Sequence, residues 1–179
     1  GLPVLLIMGS MNPGLVWPPG LVRGLVEGGC RVVRYDHRDT GRSFLSDPVR
    51  PSYTLDDLTS DAMRVLDAWG LDRVAVVGWS MGGYIAQQMA FEAPQRLSHL
   101  VLLGSSADHR PYIAGVMAHP GVEGDLPGPV PGFVERLWAL SAQAGELTPE
   151  ESLVQGWALF HGGSWPFPLQ RVRAQMRQA

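Results

Sequence analysis

The sequence predicts an α/β fold, a doubly wound and mostly parallel sheet with helices on its faces. Up to about residue 107, short apolar runs of β character alternate with longer segments of helical period. Beyond about residue 110 these runs stop, and a glycine- and proline-rich linker, "HPGVEGDLPGPVPG", leads into segments of helical period only. We therefore predict an α/β core over residues 1–110 and a helical region over residues 111–179.

Four strands are predicted, each a short apolar run bounded by glycine, proline or polar residues. They are residues 3–8 ("PVLLIM"), 30–36 ("CRVVRYD"), 73–78 ("RVAVVG") and 99–104 ("HLVLLG"). Segments long enough for crossover helices separate them. Because such crossovers are right-handed, the four strands fit one doubly wound sheet.

The helices between these strands are predicted from the period of their apolar residues. The first carries its apolar face on Leu21, Val22, Leu25 and Val26. The second begins after Thr54, a cap with Asp57 at the N3 position, and ends at Gly70. Its apolar positions, expected to face the sheet, are Leu55, Leu58, Ala62, Val65, Leu66 and Trp69. The third covers residues 83–93 and stops before Pro94.

The region after the linker is predicted to be helical. We expect helices over residues 133–143, 148–160 and 168–179. The middle helix has the strongest start signal, with Thr148 as its cap, Pro149 at the first helical position and Glu151 three residues after the cap. This arrangement predicts a capping box at the start of that helix.

Composition and charge argue against several classes of function. The 179 residues carry a net charge of −3 without any block of basic residues, so neither nucleic acid nor an anionic membrane is an expected partner. No apolar run approaches the ~20 residues that a membrane-spanning helix needs. The single cysteine, Cys30, cannot form an internal disulfide and favours a reducing compartment. We therefore expect a cytoplasmic protein.

The segment "RVAVVGWSMGGYIAQQMA" contains the most informative motif. Gly78, Ser80 and Gly82 form a G-x-S-x-G pattern between a predicted strand and a predicted helix, which is the context of a nucleophile elbow. The sharp turn is expected to hold Ser80 in a strained backbone conformation, while the two glycines let strand and helix pass without a Cβ clash. Ser80 is therefore predicted to be a nucleophile raised above the sheet edge.

A nucleophile that attacks a carbonyl group also needs hydrogen-bond donors for the oxyanion that forms. Two backbone amides are candidates: that of Met81, which follows the serine, and that of Ser10, in the small-residue turn "MGSMN" after the first strand. Both positions lie at the carboxyl edge of the predicted sheet, where ligands of open α/β sheets bind. For Ser10, a plain turn without a catalytic role is the alternative.

Three segments, in their order and spacing, resemble the α/β-hydrolase superfamily: "LLIMGSMN", "VVRYDHRDTGRS" and "VAVVGWSMGGYIAQQMAFEAPQRLSHLVLLGSSA". They are most similar to the aclacinomycin methylesterase group of bacterial esterases, and the "YDHRDTGRS" loop is the most specific piece. The resemblance covers the core to about residue 107, and the later helices match the place where such enzymes insert a lid. It implies Ser80 as the nucleophile, the Ser10 and Met81 amides as oxyanion donors, and a methyl ester on a polyketide as the substrate.

The resemblance also implies parts that these residues do not contain. In the family the nucleophile is followed along the chain by the acid and then the histidine, both beyond the lid. We therefore expect the triad acid and histidine to lie outside these residues, and the first and last strands of the family's sheet to be absent from them. A chain truncated at both ends would expose two sheet edges, which further chain or another subunit would have to cover.

The five histidines here are poor candidates for the catalytic base, because none follows a strand late enough to match the family. His37 and His109 are expected in loops after strands, His99 on the surface at a strand start, His119 in the linker and His161 in the lid. Asp108 follows the fourth strand, where some hydrolases place the triad acid. A solvated loop aspartate is the favoured interpretation of Asp108.

The "YDHRDTGRS" loop concentrates charged side chains. They are Asp36, Arg38, Asp39 and Arg42. Carboxylates and guanidinium groups in a turn form hydrogen bonds to backbone amides and ion pairs, so we expect these residues to fix the shape of the loop. Direct contact with a substrate is the alternative.

Aromatic residues are candidates for an apolar substrate pocket. They are Trp79, next to the serine, and Trp138, Trp157 and Trp165 in the lid region. Aromatic side chains at helical spacing also pack on one another or on a core, which is the alternative for the three lid residues.

These observations predict a serine hydrolase that cleaves a small apolar carboxylic ester through an acyl-enzyme on Ser80, with no metal ion or organic cofactor. A cofactor-free haloperoxidase or perhydrolase is the alternative within enzymes, since "GWSMGG" also suits that group. A non-catalytic fragment that acts as a binding module is the alternative from another class.

Overall fold

The computed structural model describes residues 1–46, 53–108, 110–111, 129–143 and 145–178. The strands are β1 (Pro3–Ile7), β2 (Arg31–Arg34), β3 (Val74–Trp79) and β4 (Leu97–Leu103). The helices are α1 (Pro19–Glu27), α2 (Leu55–Ala68), α3 (Met81–Glu92), α4 (Phe133–Ala142), α5 (Pro149–Phe160) and α6 (Leu169–Met176). Residues 1–107 form one unit and residues 108–178 a second. His109, His119 and most of the predicted linker lie outside the described residues.

The four strands form one sheet in the order β2-β1-β3-β4, and every neighbouring pair is parallel. This confirms the predicted parallel sheet. The chain passes from β1 to β2 on one side and then to β3 on the other, so the direction of winding reverses between β1 and β3. Ile7 pairs with Gly78, and the two strands therefore end side by side. In an open α/β sheet, a ligand crevice forms at such a switch point.

The core of the first unit lies between the sheet and the helices α2 and α3. Its buried residues are Leu5, Ile7, Val33, Leu58, Ala62, Leu66, Leu71, Val74, Val76, Ile85, Ala86, Met89 and Leu97. Removing this apolar surface from water stabilises the unit by about 25 cal/mol per Å². The two central strands, β1 and β3, are apolar or small on every residue, as expected of strands buried in a parallel sheet, whereas Leu100–Leu103 of β4 are exposed.

Two helical faces differ from the prediction. Trp69, expected to face the sheet, follows the last residue of α2 and is 55% exposed, with the Arg31 guanidinium 5.7 Å from its ring centre. The Trp69 amide still donates to Val65 O at 3.1 Å, so its backbone continues the helix while its indole lies beside Arg31. On α1, Leu21 and Val26 are exposed, and only Val22 and Leu25 are half-buried.

The helix after the serine begins earlier than predicted. It starts at Met81 rather than at residue 83, directly after the turn residue Ser80. The two small residues Gly82 and Gly83 are part of its buried first turn. Close packing of Gly82 on the end of β1 and of Gly83 on Ser105 therefore overrides the weak helix propensity of these two glycines.

The start of α2 carries the predicted capping box. Thr54 Oγ1 accepts a hydrogen bond from the Asp57 amide at 3.4 Å, and Asp57 Oδ2 accepts one from the Thr54 amide at 2.8 Å. Replacing Thr54 with alanine should lower the free energy of unfolding by about 1 kcal/mol, because the Asp57 amide at the start of α2 loses its hydrogen-bond acceptor. Urea unfolding of the variant measures this loss. Thr54→Ser keeps the hydroxyl as a matched control, and an equal loss in both variants would contradict the capping assignment.

The second unit consists of α4, α5 and α6. α5 begins with the predicted capping box, in which Glu151 Oε2 accepts from the Thr148 amide at 3.0 Å. Phe133 and Phe160 pack edge to face with ring centres 5.3 Å apart. Glu150 lies 3.1 Å from the Arg177 guanidinium, which joins α5 to the end of α6. No helix in the described ranges of the chain is long and apolar enough to cross a membrane.

Candidate active site

Ser80 occupies the turn between β3 and α3 and has φ 52° and ψ −117°, a left-handed conformation that side chains rarely adopt. Hydrogen bonds hold the turn on both sides: the Ser80 amide donates to Leu103 O at 2.9 Å, and Ser80 O accepts from the Gly83 amide at 2.8 Å. The serine is exposed to solvent. The strained turn predicted from the motif is therefore present, and it holds a serine hydroxyl at the carboxyl end of β3.

The glycines of the motif lie where three backbone segments meet. A Cβ on Gly82 would overlap Ile7 O and lie 2.6 Å from Met8 O, both at the end of β1. A Cβ on Gly78 would overlap Gly82 O and lie 2.7 Å from Gly83 Cα. Glycine is required at both positions because β3, α3 and β1 pack backbone against backbone there.

The end of β1 passes directly beside the serine. A Cβ on Gly9 would lie 3.3 Å from Ser80 Cβ and 4.0 Å from Ser80 Oγ. Ser10, the next residue, is exposed, and its carbonyl oxygen accepts a hydrogen bond from Asn12 Nδ2 at 2.7 Å. Met11 has φ 58°, so the chain turns sharply immediately after Ser10. The segment from Gly9 to Asn12 is thus a tight turn at the switch point.

Both predicted oxyanion donors are at this edge of the sheet. The Met81 amide is the first of α3, where the helix dipole carries partial positive charge. The Ser10 amide follows Gly9, which packs against Ser80. Within the described part of the chain neither amide donates to a protein acceptor. Two free donors close to a serine hydroxyl suit the stabilisation of a developing negative charge.

The "YDHRDTGRS" loop is held by its charged residues, as expected. Asp36 accepts from the Gly14 amide at 2.7 Å and from the Arg42 amide at 2.9 Å. Arg38 forms a bidentate pair with Asp61 of α2, with N···O distances of 2.7 and 2.8 Å. Asp39 accepts from Ser46, and these bonds lower the pKa of its carboxyl. Arg42 contributes to the loop through its backbone.

His37, in the same loop, is 3% exposed. Its Nε2 lies 2.9 Å from Met8 O. A carbonyl oxygen only accepts, so Nε2 carries the proton. His37 Nδ1 is buried and has no hydrogen-bond partner among the described residues. Burial lowers the pKa of the imidazole, which is therefore neutral at pH 7.

The other titratable candidates are spread over both units. His99 lies on β4 and is exposed, as expected of a surface residue, and His161 follows α5 in the second unit. Asp108 pairs with Arg110, with Nη2 and Oδ2 2.6 Å apart. Among the described residues, no group of three or more His, Cys, Asp or Glu side chains is arranged to bind a metal ion.

The candidate pocket residues belong to different units. Trp79 is half-buried and its ring centre lies 5.6 Å from that of the fully buried Trp17. Trp138 lies on α4 and Trp157 on α5, while Trp165 follows α5 and is 79% exposed. Trp79 directly precedes Ser80 in the chain, and its indole packs on that of Trp17.

Sequence reasoning missed a set of polar residues that joins β4 to α3. Gln87 Nε2 donates to Ser106 O at 2.9 Å and to Gly83 O at 3.1 Å. Tyr84 Oη lies 3.2 Å from Ser106 Oγ. Tyr84 and Gln87 are three residues apart and share one helical face, so this spacing was the available signal. These bonds fix the chain after β4 against the first turns of α3.

Comparison with known proteins agrees with this geometry. A family model described as "alpha/beta hydrolase fold" matches residues 3–143. The rhodomycin D methylesterases DauP of Streptomyces sp. (strain C5) and DnrP of Streptomyces peucetius are 40% and 39% identical over 178 residues, which cover 96% of this chain. The chain spans 59% of the length of both relatives.

A solved structure, that of a hydrolase from Pseudomonas aeruginosa PA01, superposes with a TM-score of 0.58 at 26% identity. The superposition covers 98% of this chain and 58% of that one. The family match extends over most of the 179 residues, including β1, the "YDHRDTGRS" loop and the Ser80 turn. The chain belongs to the α/β-hydrolase fold family and is similar to its methylesterases.

Proposed function

We propose that this chain carries the nucleophile and the oxyanion-binding residues of a serine esterase that cleaves a small carboxylic ester. The observation that carries the proposal is the turn at Ser80, exposed and strained at the switch point of the sheet, with Gly9 packed against it. The names of the similar Streptomyces relatives, both methylesterases, support an ester of methanol as the substrate.

The chemistry follows from the positions of these groups. Ser80 Oγ attacks the ester carbonyl carbon, and its proton passes to a histidine that, with its acid partner, lies outside the described residues. The carbonyl oxygen becomes an oxyanion, which accepts hydrogen bonds from the Ser10 and Met81 amides. The tetrahedral intermediate expels the alcohol, which takes the proton from the histidine. Water then hydrolyses the acyl-enzyme, so the steps require no metal ion or organic cofactor.

The free amides stabilise charge that exists only in the transition state and the intermediate. A backbone N–H is fixed in the plane of its peptide group. Because Gly82 packs tightly against the end of β1, the peptide groups of Ser10 and Met81 are held in place before the substrate binds. The N-terminus of α3 adds partial positive charge beside the Met81 amide.

The proposal also covers the substrate pocket, the cellular compartment and the role of the second unit. Trp79, Trp138, Trp157 and Trp165 are candidates for contact with the apolar part of the substrate, because aromatic side chains provide large apolar surfaces. We assign the reaction to the cytoplasm, because the single cysteine of these residues cannot form a disulfide within them, and a reducing compartment suits such a composition. The lid role of the helices in the second unit is part of the same proposal.

An ester panel with covalent labelling tests the function in the full-length protein. We expect hydrolysis of apolar methyl esters without added peroxide, and a fluorophosphonate probe should add its mass to the peptide that contains Ser80. Ser60→Ala, on the exposed face of α2, is the matched control and should be labelled like the unmodified protein. Peroxide-dependent halogenation without ester cleavage would favour a haloperoxidase, and neither labelling nor turnover would favour a binding module.

A further inference from the structure

The geometry points to His37 as a positioning residue for the oxyanion site, acting through the carbonyl group of Met8. This inference rests on the proposed function and adds a residue to it. His37 lies in the "YDHRDTGRS" loop, 29 positions along the chain from the carbonyl that it contacts. It is one of the two buried polar or charged side chains among the described residues.

The Met8 carbonyl belongs to a buried residue, 2% exposed, that follows β1. His37 Nε2 is 2.9 Å from Met8 O on one side. On another side Gly82, in the first turn of α3, packs so closely that a Cβ there would be 2.6 Å from the same oxygen. Met8 O is therefore held between the loop and the nucleophile turn, where a displaced carbonyl would collide with α3.

The orientation of this carbonyl determines where the next amides point. Met8 C=O and Gly9 N–H share one rigid peptide plane. The following peptide joins Gly9 to Ser10 and carries the proposed oxyanion donor, and only the two torsions of Gly9 separate the planes. Those torsions are restricted, since Gly9 packs against Ser80. Fixing the Met8 carbonyl therefore fixes the direction of the Ser10 amide relative to Ser80 Oγ.

His37 itself is held rigidly, as a positioning residue must be. Its ring packs edge to face on Tyr35 with ring centres 5.1 Å apart. Its backbone carbonyl accepts from Thr40 Oγ1 at 2.8 Å and from the Thr40 amide at 3.1 Å. The imidazole has one donor directed at Met8, and its buried Nδ1 has no partner in the described part of the chain. A histidine that bound substrate directly would need an exposed ring, and this side chain is only 3% exposed.

Three variants of the full-length protein separate positioning from mere stability. His37→Leu removes the donor and should lower kcat about 10²-fold with little change in KM, because a displaced oxyanion donor weakens transition-state binding and not substrate binding. His37→Gln places an N–H close to the Nε2 position and should recover most of kcat. His37→Asn, whose amide matches Nδ1 instead, should remain as slow as His37→Leu.

The affinity for a trifluoromethyl ketone, which forms a tetrahedral adduct with the serine, should weaken in parallel with kcat/KM across the series. Equal rates for the glutamine and asparagine variants, or an unchanged kcat in His37→Leu, would overturn the inference. If the leucine variant does not fold, as thermal melting would show, the comparison of glutamine with asparagine decides.

A measurement on the unmodified protein needs no variant to fold. With ¹⁵N-labelled histidine, the NMR spectrum should show His37 as a neutral imidazole with the proton on Nε2. A neutral imidazole with its proton on Nδ1 and none on Nε2 would contradict the bond to Met8. If the unmodified protein neither hydrolyses esters nor is labelled at Ser80, the proposed function is rejected. The NMR result still tests the hydrogen bond from His37 to Met8 in that case.

Discussion

Replacing Ser80 with alanine should lower the rate of ester hydrolysis by the full-length protein on the order of 10⁴- to 10⁶-fold. The substitution removes the atom that forms the acyl-enzyme. It should leave the fold unchanged, since the serine is exposed and its hydroxyl makes no hydrogen bond with the described residues. The measurement is kcat/KM for a methyl ester, together with thermal melting of both proteins.

The interpretation of this experiment depends on its control. Ser60→Ala removes an exposed serine hydroxyl from α2 and should retain the original kcat/KM. Any residual hydrolysis by Ser80→Ala reflects the free oxyanion donors and substrate binding, which act without the nucleophile. A Ser80→Ala rate within tenfold of the original would show that the strained serine is not the nucleophile.

Replacing Gly82 with alanine should lower the free energy of unfolding by about 3 kcal/mol, the upper end of the range for overpacked sites. The new Cβ would overlap Ile7 O and approach Met8 O to 2.6 Å, and both are backbone atoms at the end of β1. Neither can move aside as a flexible side chain would, so β1 and α3 must separate. Urea unfolding measures the stability, and ester hydrolysis should fall as well because the oxyanion turn is displaced.

Gly24→Ala is the matched control for Gly82→Ala. Gly24 lies within α1, and a Cβ on it would meet no atom within 4 Å. Because alanine favours a helix more than glycine does, this substitution should be neutral or stabilising by up to about 1 kcal/mol. Equal stability of the Gly82 and Gly24 variants would show that the close packing of β1 on α3 does not constrain the turn.

Some features of this site could be read from local sequence. The contact of Gly78 with Gly82 across the serine turn and the capping of α2 each involve residues within four positions of one another. Short-range sterics and hydrogen bonding decide such features, and the residue types in the motif report them directly. The bonds of Asp36 to the Arg42 amide and of Asp39 to Ser46 were likewise interpretable, because turn carboxylates bond to nearby donors in the same loop.

Trp69 shows where local pattern fails. Its position continues the apolar period of α2, but the helix ends at Ala68 and the indole stays exposed beside Arg31. Its amide keeps the helical bond to Val65 O, so the period places the backbone correctly, but the indole packs beside Arg31, a residue 38 positions away in the chain. The prediction that Trp69 packs on the sheet was therefore wrong for a reason that the period itself cannot reveal.

By itself, the sequence determined the alternation of strands and helices, the parallel α/β class and the turn that exposes Ser80, since each of these follows from periodicity and local sterics. Only the tertiary structure decided that β1 lies between β2 and β3, that Gly9 packs on Ser80 and that His37 donates to Met8. These contacts join residues far apart in the chain. Strand order and burial create them, and no short stretch of sequence encodes either.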